Sequence, residues 1–258
     1  MGRTGGIDMK FNSKKSKRGC TSGFTLVELM MAMVVSMLIM GAIYIAFSSQ
    51  QRTQIAQDNV AEMQQNIRAA LVILSMDLRM AGYNPPGTVV AGAPVAGFVN
   101  GVNFTHPGGT VPVSTSANQI AFTVDLDQDG VIDLLAQDVN GDTSIDMTEM
   151  EQVAYKLNGT NLQRFSTTNG AITTAWQTIA EQIERIEFRY LDASGSVTTD
   201  LTKIRAVVVS ILAITGRGDS QYTNNQTYTT VAGTLWPVND NFRRRFLETT
   251  IHCRNMRL

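Results

Sequence analysis

From Asp125 to Glu149, nine of the oxygen-bearing side chains sit at the spacing expected of ligands to a hard cation. Asp125, Asp127, Asp129 and Asp133 occupy positions 1, 3, 5 and 9 of a first run, with Gly130 at position 6 and Ile132 at position 8. Carboxylates at this spacing converge on one calcium ion when a glycine permits the sharp turn between them. Position 12, where such loops carry a bidentate Glu, is Ala136. A second run follows, with Asp138, Asn140, Asp142, Asp146 and Glu149 at positions 1, 3, 5, 9 and 12 and Ile145 at position 8. Its turn position holds Thr143, and its glycine, Gly141, comes two places earlier. One or two calcium ions are the expected cofactors. The competing reading is a solvated acidic loop, because Asp, Asn and Gly also dominate turns.

A second chemistry attaches to Gly23, Phe24 and Glu28. Six basic residues (Arg3, Lys10, Lys14, Lys15, Lys17 and Arg18) precede Gly23, and from Phe24 to Phe47 the only charge is Glu28. That apolar length is close to the roughly 20 residues a helix needs to cross a bilayer. A carboxylate inside it is costly unless it finds a cation, or unless it stays at the headgroup level. An ordinary secretory signal has a shorter apolar region and a small-residue cleavage site. Here only Tyr44-Ile45-Ala46 offers such a site, and the apolar run continues into a polar helical pattern. A plain N-terminal anchor would also keep its basic flank in the cytoplasm. Gly23, Phe24, Thr25 and Glu28 together resemble the class III signal of type IV prepilins. In that signal a dedicated peptidase cuts after the Gly and methylates the new N-terminal Phe. The resemblance places the cut between Gly23 and Phe24, with Met9 as a second candidate start.

Composition narrows the remaining options. Without residues 1–23 the chain keeps 15 basic and 21 acidic residues, a formal charge of −6. A nucleic-acid binder would show a basic patch or stripe instead. Cys20 falls in the leader, so Cys253 alone remains; it is expected to be a small buried hydrophobe, with no intrachain disulfide. His106 and His252 are the only histidines, too few for a histidine-rich zinc site. No nucleophile elbow and no phosphate-binding glycine loop is present, and Gly216-Arg217-Gly218 reads as a turn. Catalysis is not expected.

The elements that must position these groups follow from periodicity. Ile55, Val60, Met63, Ile67, Leu71, Leu74 and Leu78 recur mostly at three- and four-residue steps, the mark of a one-sided helix. No proline interrupts Phe24 to Ala81, and Gly82 with Pro85 and Pro86 supplies the stop. Strands are expected at Gln119–Val124, Gln152–Leu157, Thr160–Phe165, Ile183–Leu191, Ile204–Ile214 and Phe246–Cys253, with the nearly all-apolar Ile204–Ile214 central in its sheet. Asn158-Gly159 is the expected two-residue hairpin turn. Ala175–Glu184 reads either as a short helix or as the lead-in to a strand, and Gly216–Asn241 as a long exposed loop. The expected organisation is a cleaved leader (1–23), a helix (24–81) and a β-rich head (82–258) carrying an acidic insertion (125–149). Within the helix, 24–47 is the membrane or filament-core half and 48–81 the amphipathic half. The class is α+β: a long N-terminal helix on a mostly antiparallel sheet.

Two further stretches resemble one family. Ile67-Arg68-Ala69-Ala70-Leu71 through Met76-Asp77-Leu78-Arg79-Met80-Ala81-Gly82-Tyr83 is similar to the helix end of minor pilins of the PilW type. The run Arg243-Arg244-Arg245-Phe246-Leu247-Glu248-Thr249-Thr250-Ile251, with Arg254-Asn255, is similar to their last strand. A Cys common just after Tyr83 in that family is absent here. The resemblance implies a subunit that primes a type IV pilus and enters it. Its partners would be other minor pilins, the major pilin, the prepilin peptidase and the inner-membrane assembly platform. It also implies a single-pass inner-membrane stage with a cytoplasmic N-terminus and a periplasmic head, followed by display on the cell surface. Glu28 would pair with the Phe24 α-amine of a neighbouring subunit and set axial register. A minor pseudopilin of a type II secretion system, or a calcium-dependent adhesive head on a pilus, are the alternatives.

Overall fold

The computed structural model describes residues 23–84, 96–99, 102–106, 109–113, 115–125, 132, 152–166 and 176–256. The chain divides into two units, Met1–Thr53 and Gln54–Leu258. Helix α1 runs Leu26–Met80. Thr25 caps it: the Glu28 N–H donates to Thr25 Oγ1 at 3.3 Å, and the Leu29 N–H donates to the Thr25 carbonyl at 3.1 Å. Thr25 and Glu28 thus stand at the two ends of an S/T-x-x-E capping pattern. At the other end Gly82 takes φ 73°, a conformation that favours glycine, and its N–H donates to Thr123 O at 3.0 Å. A Cβ there would stand 2.6 Å from Met256 Sδ, so the turn also needs glycine for space.

The second unit packs the amphipathic part of α1 against two sheets. Met63, Ile67, Ala70, Leu74 and Leu78 are buried at steps of four, three, four and four residues. The stripe passes through Ala70 rather than Leu71, which is only partly buried, and Ile55 is 53% exposed because the buried part begins near Val60. One sheet has the order β3-β4-β5-β6, from β3 (Gln119–Thr123), β4 (Gln152–Asn158), β5 (Asn161–Ser166) and β6 (Gln177–Ala180). The other has β8 (Ala206–Ile214) between β11 (Arg244–His252) and β7 (Ile183–Leu191). All these pairings are antiparallel. Ile120, Phe122, Val153 and Tyr155 from the first sheet meet Ile186, Phe188, Val207 and Val209 from the second in one core with the helix. Fully burying each large apolar side chain contributes about 1.5–3 kcal/mol, and this shared core fastens the helix to both sheets. A separate hairpin pairs β1 (Val102–His106) with β2 (Gly109–Val113). The expected α+β class is the observed one, and β8 is central as expected.

Two local expectations change, and one open choice is decided. The β4–β5 turn is Gly159-Thr160, not Asn158-Gly159, since Asn158 and Asn161 form the last pair of the ladder. Gly159 carries the positive φ of 62° at the first turn position, as in a type II′ turn, so the asparagine stays in the strand. Residues 177–180 form edge strand β6 with Ala180 buried, so of the two readings open for this stretch the strand holds and the helix does not. Gly216–Asn241 is not simply an exposed loop. It holds the hairpin of β9 (Thr227–Thr229) and β10 (Leu235–Pro237), and Trp236 is 5% exposed. Trp236 and Tyr228 both meet the Phe246 ring, which places this arm against β11. The arm is mostly polar yet ordered because its backbone pairs with itself and its side chains bond the sheet. Thr234 Oγ1 donates to Glu187 at 2.5 Å, and Val231 N–H donates to Glu248 at 3.0 Å.

Candidate functional site

Residues 23–25 precede the first turn of α1, so the Gly23–Phe24 peptide bond lies in non-helical backbone. Phe24 is 84% exposed, and nothing stands within 4 Å of where a Gly23 Cβ would be. Glu28 is exposed in the first helical turn. There the unpaired N–H groups and the positive end of the helix dipole favour a carboxylate. Beyond it α1 is long and apolar enough to cross a membrane, and none of that stretch is buried within the chain. Leu26, Val34, Leu38, Ile43 and Phe47 are each more than half exposed. Among the described residues this surface has no partner, and burying it requires lipid or other helices. The fold thus places the Gly23–Phe24 bond, the Glu28 carboxylate and the uncovered apolar surface together at one helix end.

The acidic segment is anchored by the two of its residues that the structure describes. Asp125 is 1% exposed just past the end of β3, and its N–H donates to Tyr83 O at 2.8 Å. Ile132, at position 8 of the first run, is also 1% exposed. Asp127, Asp129, Asp133, Asp138, Asn140, Asp142, Asp146 and Glu149 lie outside the described residues. Among the described residues, no three His, Cys, Asp or Glu side chains cluster to hold a metal.

Two polar networks escape sequence reasoning. Asp77, in the last turn of α1, accepts from Arg164 Nε at 2.6 Å and from the Tyr155 hydroxyl. Burial, and next the neighbouring Asp77 charge, pushes the Tyr155 hydroxyl well above its ordinary range. Tyr155 and Arg164 lie 78 and 87 residues from Asp77, so no local spacing could announce the contact. Arg244, with a side chain 2% exposed, bonds Glu184 at 2.5 Å and Asp240 at 2.6 Å. These bonds, Asp240's foremost, hold its guanidinium above its usual range and tie β11 to β7 and to the end of the arm. The run of three arginines was the only signal, and it does not say which of them is buried. Cys253 is buried, as expected, and burial pushes its thiol up to about 12.

Fold and site define a prepilin-like chain: an apolar helix bearing a methylation signal, followed by an α+β head. The prokaryotic N-terminal methylation motif matches residues 18–44. The chain belongs to the prepilin peptidase-dependent protein B family, whose model matches residues 56–236. Among solved structures, a type IV-like pilin from Thermus thermophilus is similar at 14% identity, covering 75% of this chain and 98% of its own, with a TM-score of 0.40. No curated protein matches.

Proposed function

We propose that this chain is a minor pilin that primes assembly of a type IV pilus and is incorporated into it. The observation that carries the reading is the uncovered apolar surface of α1 directly behind a methylation motif, with Glu28 as its one acid. Prepilin peptidase removes residues 1–23 and methylates Phe24. Before assembly the protein is single-pass in the inner membrane, with its N-terminus cytoplasmic and its head periplasmic. The assembly platform then lifts it so that its apolar helix exchanges lipid for the helices of other minor pilins and the major pilin. The exchange of one apolar environment for another involves little net hydrophobic gain, so packing and polar contacts decide the register. Glu28 supplies such a contact by pairing with the α-amine of a neighbouring subunit's Phe24. A pair of this kind specifies position more than it stabilises.

The test is the amount of major pilin sheared from the surface of a strain lacking this gene, with total cellular pilin and the main secreted proteins measured alongside. Loss of surface pilin with normal cellular pilin is expected. Normal surface pilin with a secretion defect would assign the chain to a secretion machine as a minor pseudopilin. No change in either would leave a specialised binding head.

A further inference from the structure

Main-chain hydrogen bonds separate closed sheet edges from open ones. Along β3 the Thr123 N–H donates to Gly97 O at 2.8 Å, and Ala121 O accepts from the Val99 N–H at 3.1 Å. Along β7 the Phe188 N–H donates to Ala117 O at 2.7 Å, and Tyr190 O accepts from the Thr198 N–H at 3.0 Å. β11 differs. It pairs with β8 on one side only, in a register unbroken from Arg244 to His252. One step beyond each end of that ladder, the Thr215 N–H donates to Arg243 O at 3.0 Å and the Cys253 N–H to Arg205 O at 2.9 Å. The residues bonded to β8 therefore alternate from Arg243 to Cys253, as antiparallel pairing requires. Arg244, Phe246, Glu248, Thr250 and His252 turn their N–H and C=O groups away from β8, and nothing among the described residues bonds those groups. Edges are commonly blunted by shortness, proline, a bulge or charge. β11 is nine residues long, with no proline and no register shift, so charge is the one device present.

We propose that the open edge of β11 is a docking strand, to which another subunit of the filament adds an extended strand carrying acidic side chains. The inference rests on the minor-pilin reading above. An added strand gains affinity from main-chain hydrogen bonds to the edge and specificity from its side chains. Charge chooses the occupant. Around β11 the acids are engaged: Glu184 and Asp240 with Arg244, Asp219 with Arg243, and Glu248 with the Ser210 hydroxyl and the Val231 N–H. Arg245 and Arg254 are exposed, one near each end of the strand, and neither has an ion pair among the described residues. Uncompensated positive charge along an edge favours an incoming strand of the opposite sign and disfavours a basic one. A second copy fits worse. Two-fold antiparallel pairing of β11 with itself sets Glu248, the middle one of the outward-turned residues, opposite its own copy. Like charges so placed destabilise the pair, and a shifted register joins fewer residues.

The experiment turns on which N–H a proline removes. Thr250→Pro removes an outward N–H, a loss that edge strands tolerate, whereas Thr249→Pro removes one that bonds β8. Each variant is expressed in a strain lacking the gene, and the chain itself is quantified in membranes and in sheared filaments. The processed full-length proteins, purified in detergent, are followed by thermal unfolding and sedimentation. Thr250→Pro is expected to melt close to the wild type and reach the membrane, yet fall about fivefold or more in filaments, as loss of a main-chain hydrogen bond with added steric block implies. Thr250→Ala keeps the N–H and incorporates as the wild type does, while Thr249→Pro melts well below both. If Thr250→Pro fails to fold, Arg245→Glu carries the test: it breaks no ion pair among the described residues, and it should deplete the chain from filaments where Arg245→Lys does not. Wild-type incorporation of folded Thr250→Pro overturns the docking strand, and wild-type incorporation of Arg245→Glu overturns its acidic partner. Dimerisation of the purified wild type that Thr250→Pro abolishes assigns the edge to a second copy and overturns the inference too. Absence of the wild-type chain from filaments, with surface pilin unchanged by the deletion, is a failure of the minor-pilin reading itself, and the inference falls with it.

Discussion

Replacing Asp77 with Ala should loosen the end of α1 from the first sheet. The carboxylate accepts one ionic bond from Arg164 and one hydroxyl bond from Tyr155, with the Asp77 and Arg164 side chains 19% and 23% exposed. Hydrogen bonds to charged groups contribute about 1.5–3 kcal/mol each, and solvent reduces the part owed to a pair about one-fifth exposed. Tyr155 is fully buried, so its hydroxyl would lose its acceptor at a cost of about 1–3 kcal/mol. Asp77→Ala is therefore expected to cost about 3–4 kcal/mol, or roughly 6–16 °C of melting temperature for a domain of this size. Asp77→Asn keeps an acceptor for the hydroxyl and should cost about 2 kcal/mol. Tyr155→Phe removes donor and need together and should cost about 1 kcal/mol. The assay is urea unfolding of the processed protein in detergent, read by Trp176 and Trp236 fluorescence, with the dependence on urea unchanged between variants. The double variant should lose less than the sum of the two singles, because both touch one network. A cost below about 1 kcal/mol for Asp77→Ala, or additivity with Tyr155→Phe, would refute the reasoning.

Other outcomes follow from the same geometry. Gly23→Val finds open space, so it should leave the melting temperature unchanged while the chain keeps its leader and an unmethylated Phe24, as read by intact mass. Glu28→Gln should still be processed and reach the membrane but be depleted from sheared filaments; incorporation at the wild-type level counts against a registration role. Stability should fall under alkaline conditions, because burial raises the Cys253 thiol from 9.0 to about 12 and also raises the Tyr155 and Tyr190 hydroxyls. Groups raised in the fold contribute fully below their unfolded values and lose that contribution as pH climbs towards the folded ones. Each therefore removes up to about 1.4 kcal/mol per pH unit. Cys253→Ala should flatten the decline between pH 9 and about 12, and an unchanged slope would dismiss the thiol.

What could be read in advance was what local repetition encodes. Met63, Ile67, Leu74 and Leu78 of the buried stripe of α1, the existence of β4 and β5, and the apolar run of β8 between two partners follow from period and composition. Failures occur where distant residues decide. Gly159 rather than Asn158 opens the turn because the β4–β5 ladder extends one pair further. The arm at 216–241 looks like loop because its anchors, Trp236 apart, are threonines and backbone amides bonded to Glu187 and Glu248. Asp77 carries no sign of Arg164, since only the packing of the helix on the sheet brings them together. The acidic spacing was plain in the sequence, whereas the buried Gln152 amide, without a hydrogen-bond partner among the described residues, shows only in the fold.

The distribution of apolar surface along α1 separates stability from assembly. Met63, Ile67, Ala70, Leu74 and Leu78 are satisfied inside the head, so shortening one of the large ones should unfold that unit by the usual cost of a core cavity, about 2–5 kcal/mol. Leu26 to Phe47 are covered by nothing among the described residues, and a polar substitution there removes no contact with them. Such a change must act through lipid or through another subunit. Helix propensity does not explain the difference, since both stretches are helical; what differs is which surface has a partner. Seventeen large apolar side chains from Phe24 to Phe47 are exposed, and the stability of the head gives no reason for them. An apolar surface of this kind, continuous in one helix with a buried stripe, is what the proposed passage from bilayer to filament would use.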